Sequence, residues 1–452
     1  MKKMKHDVPT RLVKVLNLIL MMVAFGFVWY GYYAARAQVH YYRRGDWVVI
    51  LLFGILYYGF CRSYDAFHIS ISPISEIIYS QTLALIISDF IMYVVIWLLS
   101  LYMPNAVPLL ITFVVQFLIS VLWTFLAHQW YFHNFQPGRT AVIYDLREGM
   151  ESLVGEYGME KKFHIEKVLG VEECLAKLSV LDEMDTVFLS GIHSHERNII
   201  LKYCMYQDIQ VYVIPRIGDV IMGGAKKVHM FHLPMLRIDR YRPIPEYTIA
   251  KRAFDILLSG IAIVIASPFM LVTAIAIKSD GGPALYKQKR LTKDGKEFNV
   301  LKFRSMRVDA EKDGVARLST GDKDDRITSV GKIIRKIRFD ELPQLFNILR
   351  GDMSIVGPRP ERPEIARQYE EEMPEFRLRL QAKAGLTGYA QVYGKYNTTP
   401  YDKLLMDLTY IGTPSLWEDF KICLATVKIL FMPESTEGVA EGATTAMGGE
   451  KH

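Results

Sequence analysis

The sequence predicts a membrane α-helical bundle followed by two α/β domains. Three observations support this fold class. Hydrophobic residues make up 51% of the 452 residues, and their excess is concentrated towards the N-terminus. After Arg139, strand and helix signals alternate as in a doubly wound parallel sheet. A further apolar run follows in the second half of the chain. We therefore predict four N-terminal transmembrane helices, a Rossmann-like middle domain and a C-terminal α/β domain with a re-entrant membrane helix.

The four transmembrane helices are predicted within residues 12–130, from apolar stretches that approach the roughly 20 residues needed for a span. The stretches are residues 12–35, 47–60, 83–103 and 107–127, of which the second is short. Lysines precede the first stretch and place the N-terminal segment, residues 1–11, in the cytoplasm, although arginines in the next loop favour the opposite orientation. With four spans, the rest of the chain returns to the cytoplasmic side.

The middle domain is predicted over residues 138–240. Buried strands are indicated at residues 140–144, 186–189 and 211–214, separated by charged helical stretches. A dinucleotide-binding domain of this type carries G-x-G-x-x-G after its first strand. The turn here reads Asp-Leu-Arg-Glu-Gly, without the glycines that a pyrophosphate needs. We interpret the domain as Rossmann-like, and we favour a structural or regulatory role over dinucleotide binding.

The last apolar run, residues 256–277, is long enough to cross the roughly 30 Å hydrocarbon core. Ser267 and Pro268 interrupt it near its middle. Proline removes a helix hydrogen bond, and the serine hydroxyl can satisfy the carbonyl that proline frees. This break and the even number of upstream spans favour a re-entrant, bent helix that enters and leaves the membrane by one face. A plain fifth span is the alternative.

Composition restricts the partners and the compartment. Four cysteines are scattered without a CxxC spacing, which indicates neither a zinc site nor a disulfide framework. The formal net charge is +6, and basic residues cluster near apolar segments rather than in a nucleic-acid stripe. Membrane lipids and phosphorylated substrates are therefore the predicted partners, and nucleic acid is not. The tail, residues 434–452, has no apolar period and is predicted to be disordered.

The stretch whose composition is most typical of an active site is FDELPQLFNILRGDMSIVGPRP, residues 339–360. An acidic pair, Asp340 and Glu341, precedes apolar residues at helical spacing, and Pro343 falls in the predicted first turn. This pattern places Asp340 at or near the helix N-cap, where the dipole and free amides favour an ionised carboxylate and attract phosphate. A phosphoryl-accepting nucleophile requires such a carboxylate. The alternative is an ordinary helix cap with a solvated neighbour.

Further motifs surround the acidic pair. ALYKQKRLTKDGKEFNVLKFRSM and RITSVGKIIRKIRFDELPQ lead up to it, and AGLTGYAQVYGKY follows it. Together they closely resemble the bacterial sugar transferase family, the polyprenyl-phosphate hexose-1-phosphate transferases or monotopic phosphoglycosyl transferases. The resemblance covers residues 251–433, roughly two fifths of the chain, and predicts a catalytic domain over residues 247–433. The bundle and middle domain ahead of it resemble the large members that start exopolysaccharide or O-antigen repeat units.

The resemblance implies transfer of a sugar-1-phosphate from a UDP-sugar to undecaprenyl phosphate, with release of UMP. The protein would be a multi-pass protein of the bacterial inner membrane with its catalytic domain on the cytoplasmic face. The family's members contain a re-entrant helix, which agrees with the prediction for residues 256–277. A homodimer is left open.

The resemblance also implies a covalent phosphosugar intermediate on Asp340, with Glu341 holding Mg²⁺ or positioning the substrate. Asp407, in LLMDLTYI, matches a family acidic position and completes a predicted metal set of Asp340, Glu341 and Asp407. The alternative for Asp407 is an aspartate on a helix surface. Mg²⁺ suits a sparse acidic site because it takes one or two carboxylates and completes its shell with water and phosphate.

The candidate ligands for the substrate phosphates are basic residues in or near these motifs: Lys302, Arg304, Arg338, Arg359 and Arg379. Arginine suits this role because its planar fork binds phosphate oxygens in pairs. Flanking prolines restrict the backbone of Arg359 and favour function there; a solvated surface charge is the alternative for each of the other arginines. The chain departs from the family at two loop positions, with Thr292 where glycine is usual and Ala384 where proline is usual.

Two other functions compete with this one. An ordinary nucleotide-sugar glycosyltransferase would use Asp322, Lys323 and Asp324 as a D-x-D metal motif, and it would release a nucleoside diphosphate rather than a monophosphate. A non-catalytic membrane scaffold would use the Rossmann-like domain to sense a ligand. The intact acidic pair and its basic neighbours favour the transferase. No motif identifies the sugar.

Overall fold

The chain divides into two compact units, Met1–Ile214 and Pro215–His452. The segment 215–240, which the sequence assigns to the middle domain, groups with the second unit because Ile217 and Val220 pack against its core. The predicted disordered tail and the D-x-D triplet lie outside the described residues. The computed structural model describes residues 2–36, 44–100, 102–279, 282–307, 326–394 and 398–430, without the side chains of residues 2–8 and 44.

The first unit begins with long apolar helices. They are α1 (Lys2–Val28), which continues through a π-helical turn (Trp29–Tyr33) and a 3-10 turn (Ala34–Arg36), α2 (Arg44–Ser63), α3 (Ile74–Leu99) and α4 (Val107–Asn134). Each is long and apolar enough to cross a membrane. Many of their large apolar side chains, such as Phe27, Phe90 and Leu118, are exposed. The apolar N-terminal helices are thus confirmed, and the count of four spans stays a prediction.

Helix α3 begins at Ile74 rather than at residue 83, where the apolar stretch starts. Its early turns carry Ser80 and Gln81, which are buried inside the bundle. Gln81 Oε1 accepts a hydrogen bond from Ser120 Oγ of α4 at 2.6 Å. A hydropathy pattern misses these turns because their polar side chains find partners inside the protein.

The rest of the first unit is a parallel sheet with strand order β2-β1-β3-β4. Its elements are β1 (Gly138–Tyr144), α5 (Met150–Glu156), β2 (Phe163–Gly170), α6 (Val171–Ala176), β3 (Thr186–Ser190), α7 (Ser194–Tyr206) and β4 (Gln210–Val213). Val142 and Phe188 pack on the α5 face, and Ile143 and Leu189 on the face of α6 and α7. The predicted doubly wound pattern is therefore present. The sequence does not predict β2, because its residues are mostly half-buried or exposed.

The second unit contains the sequence motifs. Its helices are α8 (Ile217–Gly223), α9 (Pro245–Lys278), α10 (Ser329–Lys336), α11 (Gln344–Arg350), α12 (Pro363–Glu372), α13 (Tyr389–Tyr393), α14 (Pro400–Gly412) and α15 (Leu416–Leu430). Its described strands pair as β5 (Lys226–Met230) with β6 (Leu233–Arg237), β7 (Leu285–Leu291) with β8 (Glu297–Phe303), and β9 (Ser354–Val356) with β10 (Gly385–Thr387). The first two pairs are antiparallel and the third is parallel. An apolar core that includes Val300, Ile348, Ile365 and Leu404 joins β8, α11, α12 and α14. The predicted C-terminal α/β class is confirmed.

Helix α9 runs without interruption over 34 residues and is also long and apolar enough to cross a membrane. The predicted break at Ser267 and Pro268 does not end it. Pro268 cannot donate to the carbonyl of Val264, and the Ser267 hydroxyl donates to that carbonyl instead, at 2.8 Å. The serine thus satisfies the carbonyl that the proline frees. The re-entrant course is not confirmed and stays a prediction.

Both ends of α9 contact other elements of the second unit. Near its start, the Arg252 guanidinium donates to the carbonyls of Ile348 and Leu349 at 2.6 and 2.7 Å. Near its end, the carbonyl of Ile277 accepts a hydrogen bond from Arg304 Nη2 at 3.1 Å. Between these contacts α9 exposes large apolar side chains, among them Leu257, Val264, Ile265, Phe269 and Val272.

Candidate active site

The acidic pair lies in a 3-10 turn, Phe339–Glu341, between α10 and α11. Helix α11 begins at Gln344 with Pro343 as its N-cap, so the prediction that Asp340 caps this helix is wrong. The amides of Glu341 and Leu342 donate to backbone carbonyls within the turn, at 3.3 and 3.2 Å. Those two amides are therefore already used within the turn.

Helix α11 is fixed against strand β8 by a buried asparagine. Asn347 Nδ2 donates to the carbonyl of Asn299 at 2.8 Å, and Asn347 Oδ1 accepts a hydrogen bond from the amide of Leu301 at 2.9 Å. The side chain thus pairs with the strand much as a neighbouring strand would. This contact places the turn before α11 beside Lys302, the next residue of β8.

Glu341 is the centre of a charged cluster. Its Oε1 atom lies 2.7 Å from Lys302 Nζ and 3.1 Å from Arg359 Nη2. The side chains of Glu341, Lys302 and Arg359 are 15%, 21% and 43% exposed, so the cluster opens to solvent on the arginine side. Burial alone would raise the pKa of the Glu341 carboxyl, but the positive charges of Lys302 and Arg359 outweigh burial and hold that pKa below its usual range. Glu341 is therefore ionised.

Asp340 has the opposite electrostatic character. Within the part of the chain that the structure describes, no side chain forms an ion pair with its carboxylate. Burial raises the pKa of Asp340; the charge of Lys302 opposes this rise, and the charge of Glu341 adds to it. Asp340 is thus the weaker acid of the pair. Among the described residues it is also the carboxylate of the pair that has no direct ion-pair partner, which suits a nucleophile.

The turn that carries Arg359 follows strand β9 directly. Gly357 lies where β9 and β10 meet, and a Cβ atom there would come within 2.3 Å of the Lys383 carbonyl, so the packing requires glycine. The carbonyl of Arg359 accepts a hydrogen bond from Arg379 Nη2 at 2.9 Å. Arg379 therefore holds the backbone of this turn, while the guanidinium of Arg359 contacts Glu341.

Arg379 and Asp407, predicted as a phosphate ligand and a metal ligand, pair with each other. Arg379 Nη2 lies 2.7 Å from Asp407 Oδ2, and both side chains are almost completely buried. Burial raises the pKa of Asp407 to about 6, against the opposing charge of Arg379. Among the described residues, no three His, Cys, Asp or Glu side chains form a group that could hold a metal. The structure therefore does not bring Asp407 into one metal set with Asp340 and Glu341.

Arg304 and Arg338 take other positions. Arg304 is buried, and besides Ile277 its guanidinium donates to the carbonyl of Pro283 at 2.8 Å, so it ties the end of α9 to β8. Its role as a phosphate ligand stays a prediction. Arg338 has a left-handed backbone with φ of 55°, which turns the chain from α10 into the acidic turn. Its charge adds to those that lower the pKa of Glu341.

A Mg²⁺ ion fits the acidic pair better than it fits the predicted set of three carboxylates. Both cations contact Oε1 of Glu341, which leaves Oε2 for another ligand, and Asp340 has no ion-pair partner among the described residues. One or two carboxylates with substrate phosphates and water form the usual Mg²⁺ environment. Asp340 and Glu341 are therefore the residues that would hold the ion, together with a diphosphate.

Sequence reasoning missed Glu361, which lies near two arginines. Its carboxylate is 3.7 Å from Arg290 Nη1 and 3.8 Å from Arg379 Nη1. Burial lowers the pKa of Arg290 to about 10. The signal that could have identified Glu361 is its place directly after the Gly-Pro-Arg-Pro turn, since an acidic residue there can neutralise nearby arginines.

Comparison with known proteins identifies related sequences over the part of the chain that carries this site. The sequence model described as bacterial sugar transferase matches residues 246–433. A UDP-glucose:undecaprenyl-phosphate glucose-1-phosphate transferase from Caulobacter vibrioides is 41% identical over 201 residues, which cover 43% of this chain and 74% of the relative. The chain belongs to the bacterial sugar transferase family. The match includes the acidic turn, the Arg359 turn and the Arg379–Asp407 pair.

The names of two further relatives specify two different sugars. A UDP-N-acetylgalactosamine-undecaprenyl-phosphate N-acetylgalactosaminephosphotransferase from Aeromonas hydrophila is 39% identical over 234 residues, 51% of this chain and 54% of the relative. A UDP-glucose:undecaprenyl-phosphate glucose-1-phosphate transferase from Escherichia coli is 38% identical over 212 residues, 46% of this chain and 44% of the relative. The matched segment thus spans about half the length of these two proteins. Because their sugars differ, the similarity does not identify the sugar.

Proposed function

We propose that this chain transfers a sugar-1-phosphate from a UDP-sugar to undecaprenyl phosphate at the cytoplasmic face of the bacterial inner membrane, releasing UMP. One observation carries the proposal. Asp340, without an ion-pair partner among the described residues, adjoins Glu341, which is neutralised by Lys302 and Arg359. The names of the relatives, all with undecaprenyl phosphate as acceptor, support the same chemistry. The lipid-linked product would start a polysaccharide repeat unit.

The reaction consists of two displacements at one phosphorus atom. In the first, an Asp340 oxygen attacks the phosphorus that bears the sugar, and the bond from phosphorus to the UMP oxygen breaks, so that UMP leaves with the electron pair. The enzyme then carries an acyl phosphate between Asp340 and the sugar-1-phosphate. In the second displacement, an oxygen of undecaprenyl phosphate attacks the same phosphorus and the Asp340 carboxylate leaves. The products are UMP and an undecaprenyl diphosphosugar.

Charge neutralisation makes the first displacement possible, because a carboxylate must approach a diphosphate. Lys302 and Arg359 are held beside the nucleophile by Glu341 before any substrate arrives. Positive groups fixed in this way need little rearrangement during the reaction. The exposed side of Arg359 is where the diphosphate can bind, since a guanidinium can contact Glu341 and phosphate oxygens at once.

Glu341 has a positioning role in this account. It orients Lys302 and Arg359, and its low pKa keeps it ionised while Asp340 takes part in the chemistry. Asp340 and Glu341 are also the residues that would hold Mg²⁺ beside the phosphate oxygens. When bound, the ion would offset the charge of the diphosphate and of the departing UMP.

The acidic turn lies next to the apolar helix α9, which supports an acceptor dissolved in a membrane. The Phe339 ring packs edge-to-face on Phe269 of α9, with ring centres 6.4 Å apart. Phe269 is 58% exposed on the apolar side of this helix. An undecaprenyl chain lying along α9 could thus present its phosphate to Asp340 without moving into water.

The decisive assay combines the purified full chain with undecaprenyl phosphate and a panel of UDP-sugars, and identifies the released nucleotide. We expect UMP together with a lipid-soluble phosphosugar, no turnover with Asp340→Asn, and activity that chelation abolishes and Mg²⁺ restores. Release of UDP would instead indicate an ordinary glycosyltransferase. Full activity of Asp340→Asn would contradict the proposed role of Asp340. Full activity in excess chelator would show that the reaction does not need Mg²⁺.

A further inference from the structure

The helical bundle of the first unit contains a layer of polar side chains that form hydrogen bonds with one another. Gln81 Oε1 of α3 accepts hydrogen bonds from Ser120 Oγ of α4 at 2.6 Å and from Asn17 Nδ2 of α1 at 3.5 Å. The Tyr57 hydroxyl of α2 donates to Asn17 Oδ1 at 2.9 Å. Each of the four helices thus contributes a group, and the contacts link them to one another.

A second layer of polar side chains lies further along α3 and α4. Its side chains have no hydrogen-bond partners among the described residues. It consists of Ser88 and Asp89 of α3 and Gln116 of α4, which are all buried; Asp89 is 6% exposed and the other two are fully enclosed. Among the described residues, neither the Asp89 carboxylate, nor the Gln116 amide, nor the Ser88 hydroxyl has a hydrogen-bond partner. Burying polar groups without hydrogen-bond partners inside an apolar bundle is energetically costly. A further bound species is therefore needed to satisfy these side chains.

The register of the two helices places the groups of the second layer within about one helical turn of one another along the bundle. The Gln81–Ser120 contact aligns α3 and α4, which run antiparallel because the short segment 100–106 connects them. From that contact, Asp89 lies two turns along α3, about 12 Å, and Gln116 one turn along α4, about 6 Å. Side chains in a helix tilt towards its N-terminus. Asp89 therefore leans towards the level of Gln116, and Gln116 leans towards the level of Asp89.

We propose that Asp89, Gln116 and Ser88 form a binding site for a monovalent metal cation inside the bundle. The site offers a carboxylate, an amide carbonyl and a hydroxyl, which are the hard oxygen ligands that such ions take. No described Lys, Arg or His forms an ion pair with Asp89. A single positive charge neutralises the carboxylate, whereas a divalent ion would leave an excess charge in an apolar interior. Acidic residues inside membrane helices commonly mark ion sites.

The test uses the purified full chain in lipid nanodiscs and measures its thermal unfolding midpoint. Sodium chloride is titrated against N-methyl-D-glucamine chloride at constant ionic strength, so that only the identity of the cation changes. An ion that binds the folded state raises the midpoint progressively with the logarithm of its concentration. We expect this rise in the wild type and in Thr82→Ala, a control on the same helix whose hydroxyl donates to the Ile78 carbonyl of that helix.

We expect Asp89→Asn and Gln116→Leu to remove the sodium dependence, and radioactive sodium to bind the wild type but not these variants. Ser88→Ala, which keeps the carboxylate, should weaken the dependence without abolishing folding, and it serves as the test if Asp89→Asn does not fold. A wild-type midpoint independent of sodium would overturn the proposal. So would an Asp89→Asn protein that is as stable as the wild type and equally sensitive to sodium.

Discussion

The hydroxyl of Thr292 accepts a hydrogen bond from the backbone amide of Ala384 at 3.1 Å, and it donates to the carbonyl of Asp352 at 3.1 Å. Thr292 and Ala384 are the two positions at which the chain departs from the usual family pattern of glycine and proline. Proline has no amide hydrogen, and glycine has no hydroxyl. The two departures therefore compensate each other: Ala384 brings a buried donor, and Thr292 supplies its acceptor.

This pairing predicts non-additive effects on stability. Thr292→Gly leaves the buried Ala384 amide without a partner and should cost about 1–3 kcal/mol. In the background of Ala384→Pro there is no amide to satisfy, so Thr292→Gly should cost much less there. Thermal unfolding of the two single variants and the double variant measures the difference. Equal costs of Thr292→Gly in both backgrounds would contradict the compensation.

A second prediction concerns the buried pair Arg379–Asp407. Removing one partner leaves an uncompensated buried charge, so Arg379→Met and Asp407→Leu should each cost about 3–5 kcal/mol, and the double variant less than the sum. Arg379→Met should also raise the KM for the UDP-sugar, because the Arg359 carbonyl loses its donor. Lys421→Ala, which breaks the more exposed pair with Glu418, is the control and should change stability little. An unchanged KM in Arg379→Met would argue against a positioning role.

A third prediction concerns pH. Asp340 must be ionised to attack, so activity is lost as the pH falls through its pKa, which is raised above the usual value for aspartate. Lys302 lowers that pKa and Glu341 raises it. Lys302→Met should therefore move the acidic limb of the kcat/KM profile to higher pH, and Glu341→Gln should move it to lower pH. Lys287→Met, an exposed lysine of strand β7, should not move it. Shifts of both variants in the same direction would refute this electrostatic assignment.

The sequence predicts the part of the site that lies within short motifs. Asp340 and Glu341 are adjacent, and the structure brings Lys302 and Arg359 to them as the motifs suggest. The N-cap prediction fails because apolar spacing does not reveal that the chain turns through a left-handed Arg338 before α11 starts. A local pattern contains no information about such a turn.

The positions of Arg304, Arg379 and Asp407 depend on contacts between distant segments. Arg304 bonds Ile277, 27 positions away, and Arg379 contacts Asp407, which lies on another helix. A charged residue that is buried and paired looks the same in a sequence as one that is free to bind phosphate. The Ser267–Pro268 step does not end α9, because Ser267 satisfies the Val264 carbonyl that Pro268 frees, and the predicted re-entrant course stays a prediction.

A fourth prediction concerns the course of α9, with Lys251 and Lys278 on the same, cytoplasmic face. A straight helix would place Arg252 and Ile277 about 37 Å apart, more than the roughly 30 Å hydrocarbon core, yet both contact the second unit. A domain confined to one side of the membrane could not hold both ends of a spanning helix. Pro268→Leu should straighten α9 and reduce activity, and Val272→Leu, at an exposed position further along α9, is the matched control that keeps both Ser267 and the proline.

Cysteine labelling tests this course. Single cysteines at Glu246 and Gly282, in a background without the native cysteines at 61, 174, 204 and 423, should show the same accessibility to an impermeant thiol reagent. Labelling of the Gly282 site alone from outside intact cells would show that α9 spans the membrane.

The covalent role of Asp340 is the central claim, and intact-protein mass spectrometry tests it most directly. The full chain is mixed with its UDP-sugar and without undecaprenyl phosphate, then quenched, because the phosphosugar on Asp340 should accumulate when the acceptor is absent. We predict a mass increase equal to one sugar phosphate in the wild type, none in Asp340→Asn, and its loss on addition of undecaprenyl phosphate. An active wild-type enzyme that never shows the adduct under rapid quenching, or an adduct that persists in Asp340→Asn, would contradict the account.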